Sequence, residues 1–268
     1  MSWPTLFFPL VLVALAIPFP VRGDFVFYEN FKAMKDVQES EALRAALERP
    51  ANCDAFVTVA IDGGAGSGKT STARELARRH GFAFVSTGEH YRVLAYLLER
   101  LGVQPGDGPA IARAIAPLRP GTVFVGNQGH LSLDGRIFSE GELRSPAVNR
   151  SVARYAQLPE LRRFLQDYQR TLPRVARSAN FPGLVLEGRD MTSVVFPDAS
   201  LRYFLTVDAE ERVRRRREEG ICDDVAGRDA QDRERLVCLD GVSPIDGTGR
   251  TLEEVVALLS RDVEELLR

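Results

Sequence analysis

Apolar positions along the chain fall into short, separated runs, and each run predicts one element. Phe56-Val57-Thr58-Val59-Ala60-Ile61 is apolar and β-branched almost throughout, the pattern of a short strand buried on both faces. After a glycine-rich break, 71–79 predicts a helix with a small first turn. Residues 81–86 predict a second strand, and 87–101 a helix that runs into the turn-rich stretch 102–108. The runs 122–125 and 130–134 flank Gly126-Asn127-Gln128-Gly129, the signal of a β-hairpin. From 146 to 176 the chain predicts helix, with Val152, Leu161, Leu165 and Tyr168 spaced for one buried face. Residues 184–186 and 201–205 add two further core strands.

Strands alternating with helices imply a parallel sheet flanked by helices, an α/β fold. The hairpin region interrupts that alternation. An inserted lobe is therefore expected at about 104–176, set into a core of about 54–103 and 177–268. The N-terminus stands apart. Residues 6–21 are strongly apolar, but Pro9, Pro18 and Pro20 break the run and no Lys or Arg precedes it. A secretory signal starts with a basic segment, and a membrane span needs about 20 uninterrupted apolar residues. Residues 1–33 are read as an extension outside catalysis, with no stable membrane association. The domain then spans 34–268, opening at Met34 on an amphipathic stretch at 35–48.

Composition narrows the function classes. A formal net charge of −2 leaves no global basic field for nucleic acid or a membrane surface. Positive charge is local instead, concentrated at Arg212 and Arg214 to Arg217. Cys53, Cys222 and Cys238 have no paired spacing, which argues against a zinc site and against a disulfide framework, and for thiols in a reducing compartment.

The break after the first strand carries the chemistry. Gly63-Gly64-Ala65-Gly66-Ser67-Gly68-Lys69-Thr70 has the form G-x-x-x-x-G-K-[ST] between a strand and a helix, the context a phosphate-binding loop requires. The glycines let successive N–H groups turn toward an anion, and the helix start adds its positive dipole end. Lys69 is placed for the β- and γ-phosphates of a nucleoside triphosphate, and the Thr70 hydroxyl for Mg2+.

Further segments resemble the cytidylate kinases, within the nucleoside monophosphate kinases. The likeness runs from about Phe56 to Leu267 and rests on Ser86-Thr87-Gly88-Glu89-His90-Tyr91-Arg92, on Glu187-Gly188-Arg189-Asp190 running into 193–199, on 210–216, on 228–235, and on Ile245-Asp246-Gly247-Thr248 before 251–256. The resemblance implies a P-loop fold with an acceptor-binding lobe and a lid at about 213–236. It also implies ATP as co-substrate with Mg2+, and CMP or dCMP as acceptor. Small-molecule nucleotides are then the partners, with no nucleic acid, for a cytoplasmic monomer.

Moving a phosphoryl group between two polyanions needs cations on both sides. Arg92, Arg162 and Arg189 are assigned to the acceptor phosphate, and Arg212 to the ATP phosphates. Arg215, Arg228 and Arg235 are placed over the transferring group, with Asp232 orienting one of them. Arginine suits these positions because its planar fork meets phosphate oxygens in pairs. Thr87 matches the small hydroxyl residue the family places near cytosine. Glu187 matches an acidic position at the acceptor sugar or base; a salt bridge to Arg189 and a water-mediated Mg2+ contact are its alternatives. Asp190 is expected to brace the neighbouring arginines, Asp62 to support the loop, and His90 to be structural. The chain departs from the family at Ala153, where members often carry a serine, and in a short lid. The alternatives in function are a kinase of another small acceptor such as UMP, and a nucleotide-binding paralogue without catalysis.

Overall fold

The computed structural model describes residues 56–218 and 236–268. The extension 1–33, the stretch 35–48, Cys53, Cys222, and the lid residues Arg228, Asp232 and Arg235 lie outside them. Among the described residues seven strands form one sheet: β1 (Val57–Gly63), β2 (Ala83–Ser86), β3 (Pro120–Val125), β4 (Gln128–Leu133), β5 (Gly183–Gly188), β6 (Leu201–Thr206) and β7 (Ser243–Asp246), in the order β3-β4-β2-β5-β1-β6-β7. Every neighbouring pair is parallel except the hairpin β3–β4. The hairpin joins the main sheet through β4, with Phe84 opposite Gln128, so the segment 104–176 extends the same sheet at its edge.

The strand alternation sorts the core into two layers. Ala60, Val85, Leu184 and Leu186 face one side; Val59, Ile61, Phe84 and Val185 face the other. On the second side the sheet is covered by α1 (Lys69–His80), through Ala73, Leu76 and Ala77, and by the C-terminal helix (Leu252–Leu266), through Val255, Val256, Leu259 and Val263. The first side is covered by α2 (Thr87–Arg100) through Val93, Leu94 and Leu98, by α3 (Gly108–Ile115), and by the helices that follow the hairpin.

The helical stretch expected at 146–176 is a correction: it is three helices, α5 (Pro146–Tyr155), α6 (Pro159–Gln169) and α7 (Leu172–Ser178), preceded by the short α4 (Glu140–Leu143). Each of the three carries a proline in its first turn, the one place in a helix where a missing N–H costs nothing. Pro159 and Pro173 thus restart the helix rather than continue it. The break expected at 102–108 is present, and α3 follows it, a helix the sequence reading did not give; Asp107 caps it by accepting the Ala110 N–H at 2.9 Å. Helix α8 (Ala209–Glu218) follows β6, and the C-terminal helix is α9. Among the described residues no helix is long and apolar enough to cross a membrane.

Candidate active site

The carboxyl ends of β1, β5 and β2 meet at one edge of the sheet, where open α/β sheets bind ligands. The loop 63–70 leaves β1 there and enters α1 at Lys69. Gly66 has a positive φ of 72°, and a Cβ on it would lie 3.1 Å from the Arg212 carbonyl oxygen and 3.1 Å from Arg216 Cγ. Only glycine lets α8 lie this close over the loop. Arg212 Nη1 donates to the Ala65 carbonyl at 3.1 Å. Arg215 donates through Nη2 to the Gly247 carbonyl at 2.9 Å and through Nε to Glu211 at 2.9 Å. Its Nη1 is 3.7 Å from where a Cβ on Gly68 would stand. Lys69 Nζ donates to the Gly64 carbonyl at 3.4 Å and stands 3.9 Å from Glu187 Oε2. Three cations and a helix N-terminus therefore converge on one glycine-lined turn, a donor set that fits a polyphosphate.

Glu187, at the end of β5 and 3% exposed, joins this loop to the other half of the site. Its Oε1 accepts the Thr70 hydroxyl at 3.1 Å and also the Ser86 hydroxyl in a short hydrogen bond. A hydroxyl and a carboxylate side by side are hard oxygen donors, which fits a divalent cation such as Mg2+. The Thr87 hydroxyl donates to the Glu187 carbonyl at 2.8 Å, which fixes the start of α2 against β5. Sequence reasoning missed Ser86. Its only local signal is a hydroxyl at a strand end, and its partner lies 101 residues away.

The arginines predicted for the acceptor divide between two places. Arg189 Nη1 donates to the Gly63 carbonyl at 2.7 Å, so this residue reaches from β5 to the first glycine of the loop. Arg162, on α6, is ion-paired with the buried Asp190, which also accepts from Gln166 at 3.4 Å. Asp190 thus pairs with an arginine of another helix. Arg92 lies further along α2, where Nη1 donates to the Leu143 carbonyl at 3.0 Å and to Asn149 at 2.7 Å. Gln166 and Asn149 carry no motif signal. Ala153 lies half-buried on α5.

Two buried titratable groups complete the picture. Asp62 turns its carboxylate to Met191 and Thr192, and burial, opposed by those hydrogen bonds, pushes its pKa up to about 6. His90 is fully enclosed. Burial, with His130 nearby, pushes its pKa down to about 3, so it is neutral and packs against Tyr168 at 5.4 Å between ring centres. The sheltered, uncharged ring agrees with a structural role.

The cytidylate kinase family model matches residues 59–265. A cytidylate kinase from Pelotomaculum thermopropionicum is 42% identical over 168 residues, covering 62% of this chain and 71% of that protein. One from an Exiguobacterium species is 33% identical over 223 residues, covering 78% of this chain and 96% of its own. One from Nocardia farcinica is 37% identical over 229 residues, covering 79% and 95%.

Proposed function

This chain belongs to the cytidylate kinase family, and from that premise we propose how its two-sided site works. The chain is a phosphotransferase that moves a phosphoryl group from ATP to CMP. In our reading the polyphosphate of ATP lies in the loop 63–70, held by its backbone N–H groups, Lys69, Arg212 and Arg215. The acceptor enters between α2, α5 and α6, with its phosphate met by Arg189, Arg92 and Arg162 and its nucleoside bounded by Thr87 and Asp190. The residues 228–235 supply the remaining cations, Arg228 and Arg235, with Asp232 orienting one of them.

The observation that carries this reading is the bridge at the β1–β5 edge. Glu187 holds Thr70 of the donor loop and Ser86, the last residue of β2, on one oxygen, while Arg189, just past the same strand as Glu187, reaches the Gly63 carbonyl of the loop. Donor and acceptor thereby meet without intervening chain, which is what in-line transfer needs. Mg2+ would be held by the Thr70 hydroxyl with Glu187 beside it, and when bound it neutralises charge on the transferring phosphates. We assign dCMP as a second acceptor, the cytoplasm as the site of action, and a monomer as the working form.

The test is ADP release by the full chain with ATP and Mg2+, supplied in parallel with CMP, dCMP, UMP, AMP or no acceptor. Turnover confined to CMP and dCMP is expected. Preference for UMP or AMP would overturn the acceptor assignment, and would point to Ala153 as the altered contact.

A further inference from the structure

Asp62 is the last residue but one of the buried strand β1, directly before the first loop glycine, yet its contacts run to the other half of the site. Oδ1 accepts the Met191 backbone N–H at 3.0 Å. Oδ2 accepts the Thr192 backbone N–H at 2.7 Å and the Thr192 hydroxyl at 2.7 Å. These two residues open the π-helical turn Met191–Val195, whose first N–H groups have no partner inside the turn. The next residue of β1 returns the grip, since the Gly63 carbonyl accepts from Arg189 at 2.7 Å. Two consecutive residues of β1 thus hold both ends of the segment 189–192. That segment carries Arg189, and with it Asp190, the partner of Arg162.

The charge on Asp62 is needed for this grip. Three donors on two oxygens are matched only by a carboxylate, because a carboxylic acid or an amide turns one position into a donor. An ionised side chain that is 1% exposed is costly to keep, and its hydrogen bonds offset that desolvation in part, enough to leave it ionised at neutral pH.

We propose that Asp62 is a positioning residue for the acceptor: it acts through Met191 and Thr192 to set the direction of Arg189 and Asp190, and not through the phosphate loop that it adjoins. This rests on the reading that Arg189 and Asp190 face the acceptor. If it holds, damage at Asp62 weakens acceptor use while ATP still binds. A role confined to the donor loop makes the opposite forecast.

The experiment uses the full chain with three substitutions, Asp62→Asn, Thr192→Val and Thr192→Ser. ATP affinity is measured by calorimetric titration, acceptor KM and kcat by ADP release, and folding by thermal melting. Asp62→Asn sets an amide N–H against a backbone N–H, and is expected to raise the KM for CMP about tenfold or more, with the ATP Kd within about threefold of wild type. Thr192→Val removes one donor at constant volume and is expected to raise that KM about threefold, and Thr192→Ser, which keeps the hydroxyl, to restore it. The proposal is overturned if ATP affinity falls as far as acceptor affinity, or if the valine and serine variants are indistinguishable. Should Asp62→Asn not fold, the Thr192 pair decides. If wild type prefers another acceptor, or turns over none, the acceptor assignment fails on its own. The same comparison, run as that acceptor's KM or as the calorimetric Kd of CMP, still decides Asp62.

Discussion

A methyl group added at Gly188 would strike Thr87 and Met191 at once. A Cβ there would lie 2.6 Å from the Thr87 hydroxyl oxygen and 2.8 Å from Met191 Cγ, both inside contact distance. Met191 is fully buried, so it has little room to move away. Thr87 is equally enclosed, and its hydroxyl is already committed to the Glu187 carbonyl at 2.8 Å. Relief of the clash either strains the packing or breaks that bond. Overpacking a core costs about 1–3 kcal/mol, and a buried hydroxyl stripped of its partner about 1–3 kcal/mol more. For a domain of this size, at roughly 2–4 °C per kcal/mol, Gly188→Ala is expected to lower the melting temperature by about 4–24 °C. Because Thr87, Arg189 and Asp190 all hang on this point, the KM for CMP is expected to rise about tenfold. Gly141→Ala is the matched control. Nothing lies within 4 Å of a Cβ at Gly141, which is helical, so that variant is expected to be neutral or up to about 1 kcal/mol more stable. Thermal melting and CMP saturation curves on the two variants settle the matter. A Gly188→Ala protein that melts within about 2 °C of wild type with unchanged KM would refute the reasoning.

Other outcomes follow from the same contacts. Glu187→Gln removes the charge beside Thr70, and the Mg2+ concentration for half-maximal rate is expected to rise about tenfold while metal-free ATP binding holds or tightens; an unchanged Mg2+ titration counts against a metal role for Glu187. The raised pKa of Asp62, about 6 against an ordinary value near 3.9, means the folded chain binds that proton more tightly than the unfolded one, so its contribution to stability falls as pH climbs from about 4 to about 6. Relative to Asp62→Asn, wild type is expected to lose on the order of 3 kcal/mol across that window, and a pH-independent difference in denaturant midpoints would contradict the sign. A lid as short as the sequence from Arg216 to Arg228 implies is expected to exclude water less well, so ATP hydrolysis without acceptor should exceed a few per cent, roughly, of the kinase rate; tight coupling in the ADP-release assay refutes it. Lys69 is the sole lysine after Lys35, so a phosphate-bearing aldehyde fixed by borohydride is expected to label it alone among residues 36–268, with ATP protecting; peptide mapping that finds no label there, or no protection, counts against an accessible loop amine.

What could be read from the sequence was the local part. The phosphate loop is contiguous, so its identity and its strand–helix setting were both legible, and the hairpin announced itself through Gly126-Asn127-Gln128-Gly129, of which Gly126 and Asn127 form the turn. The three-way division of 146–176 was legible in principle at Pro159 and Pro173, but the apolar spacing persists across those prolines and outweighs them on the page. The partners of the site residues were not legible. Glu187 finds Thr70 and Ser86 across 117 and 101 residues of chain, and Asp62 finds Thr192 across 130. No spacing rule predicts such pairs, because they depend on which strands become neighbours. Nor did the sequence reveal that the hairpin would join the central sheet, since a single backbone pairing at Phe84 and Gln128 makes that connection.

Strand order explains why the site is built this way. In the proposed arrangement β1 carries the donor loop and β5 the acceptor segment; the two strands are adjacent and parallel, with Ile61 opposite Glu187 and Asp62 opposite Gly188. Parallel pairing brings both carboxyl ends to the same edge, so the residues that end one strand can support the ligand site of the other. They do so in both directions: Glu187 of β5 holds Thr70 and lies near Lys69, while Asp62 and Gly63 of β1 hold Met191, Thr192 and Arg189. A disturbance at either strand end is therefore felt across the pair. Two polyanions must be brought into line against their mutual repulsion, and crossed supports of this kind fix the cations on each side relative to one another before either ligand arrives. On the proposed reading, the short stretch where β1 and β5 end, rather than the phosphate loop alone, is thus the part of the molecule on which alignment for transfer depends.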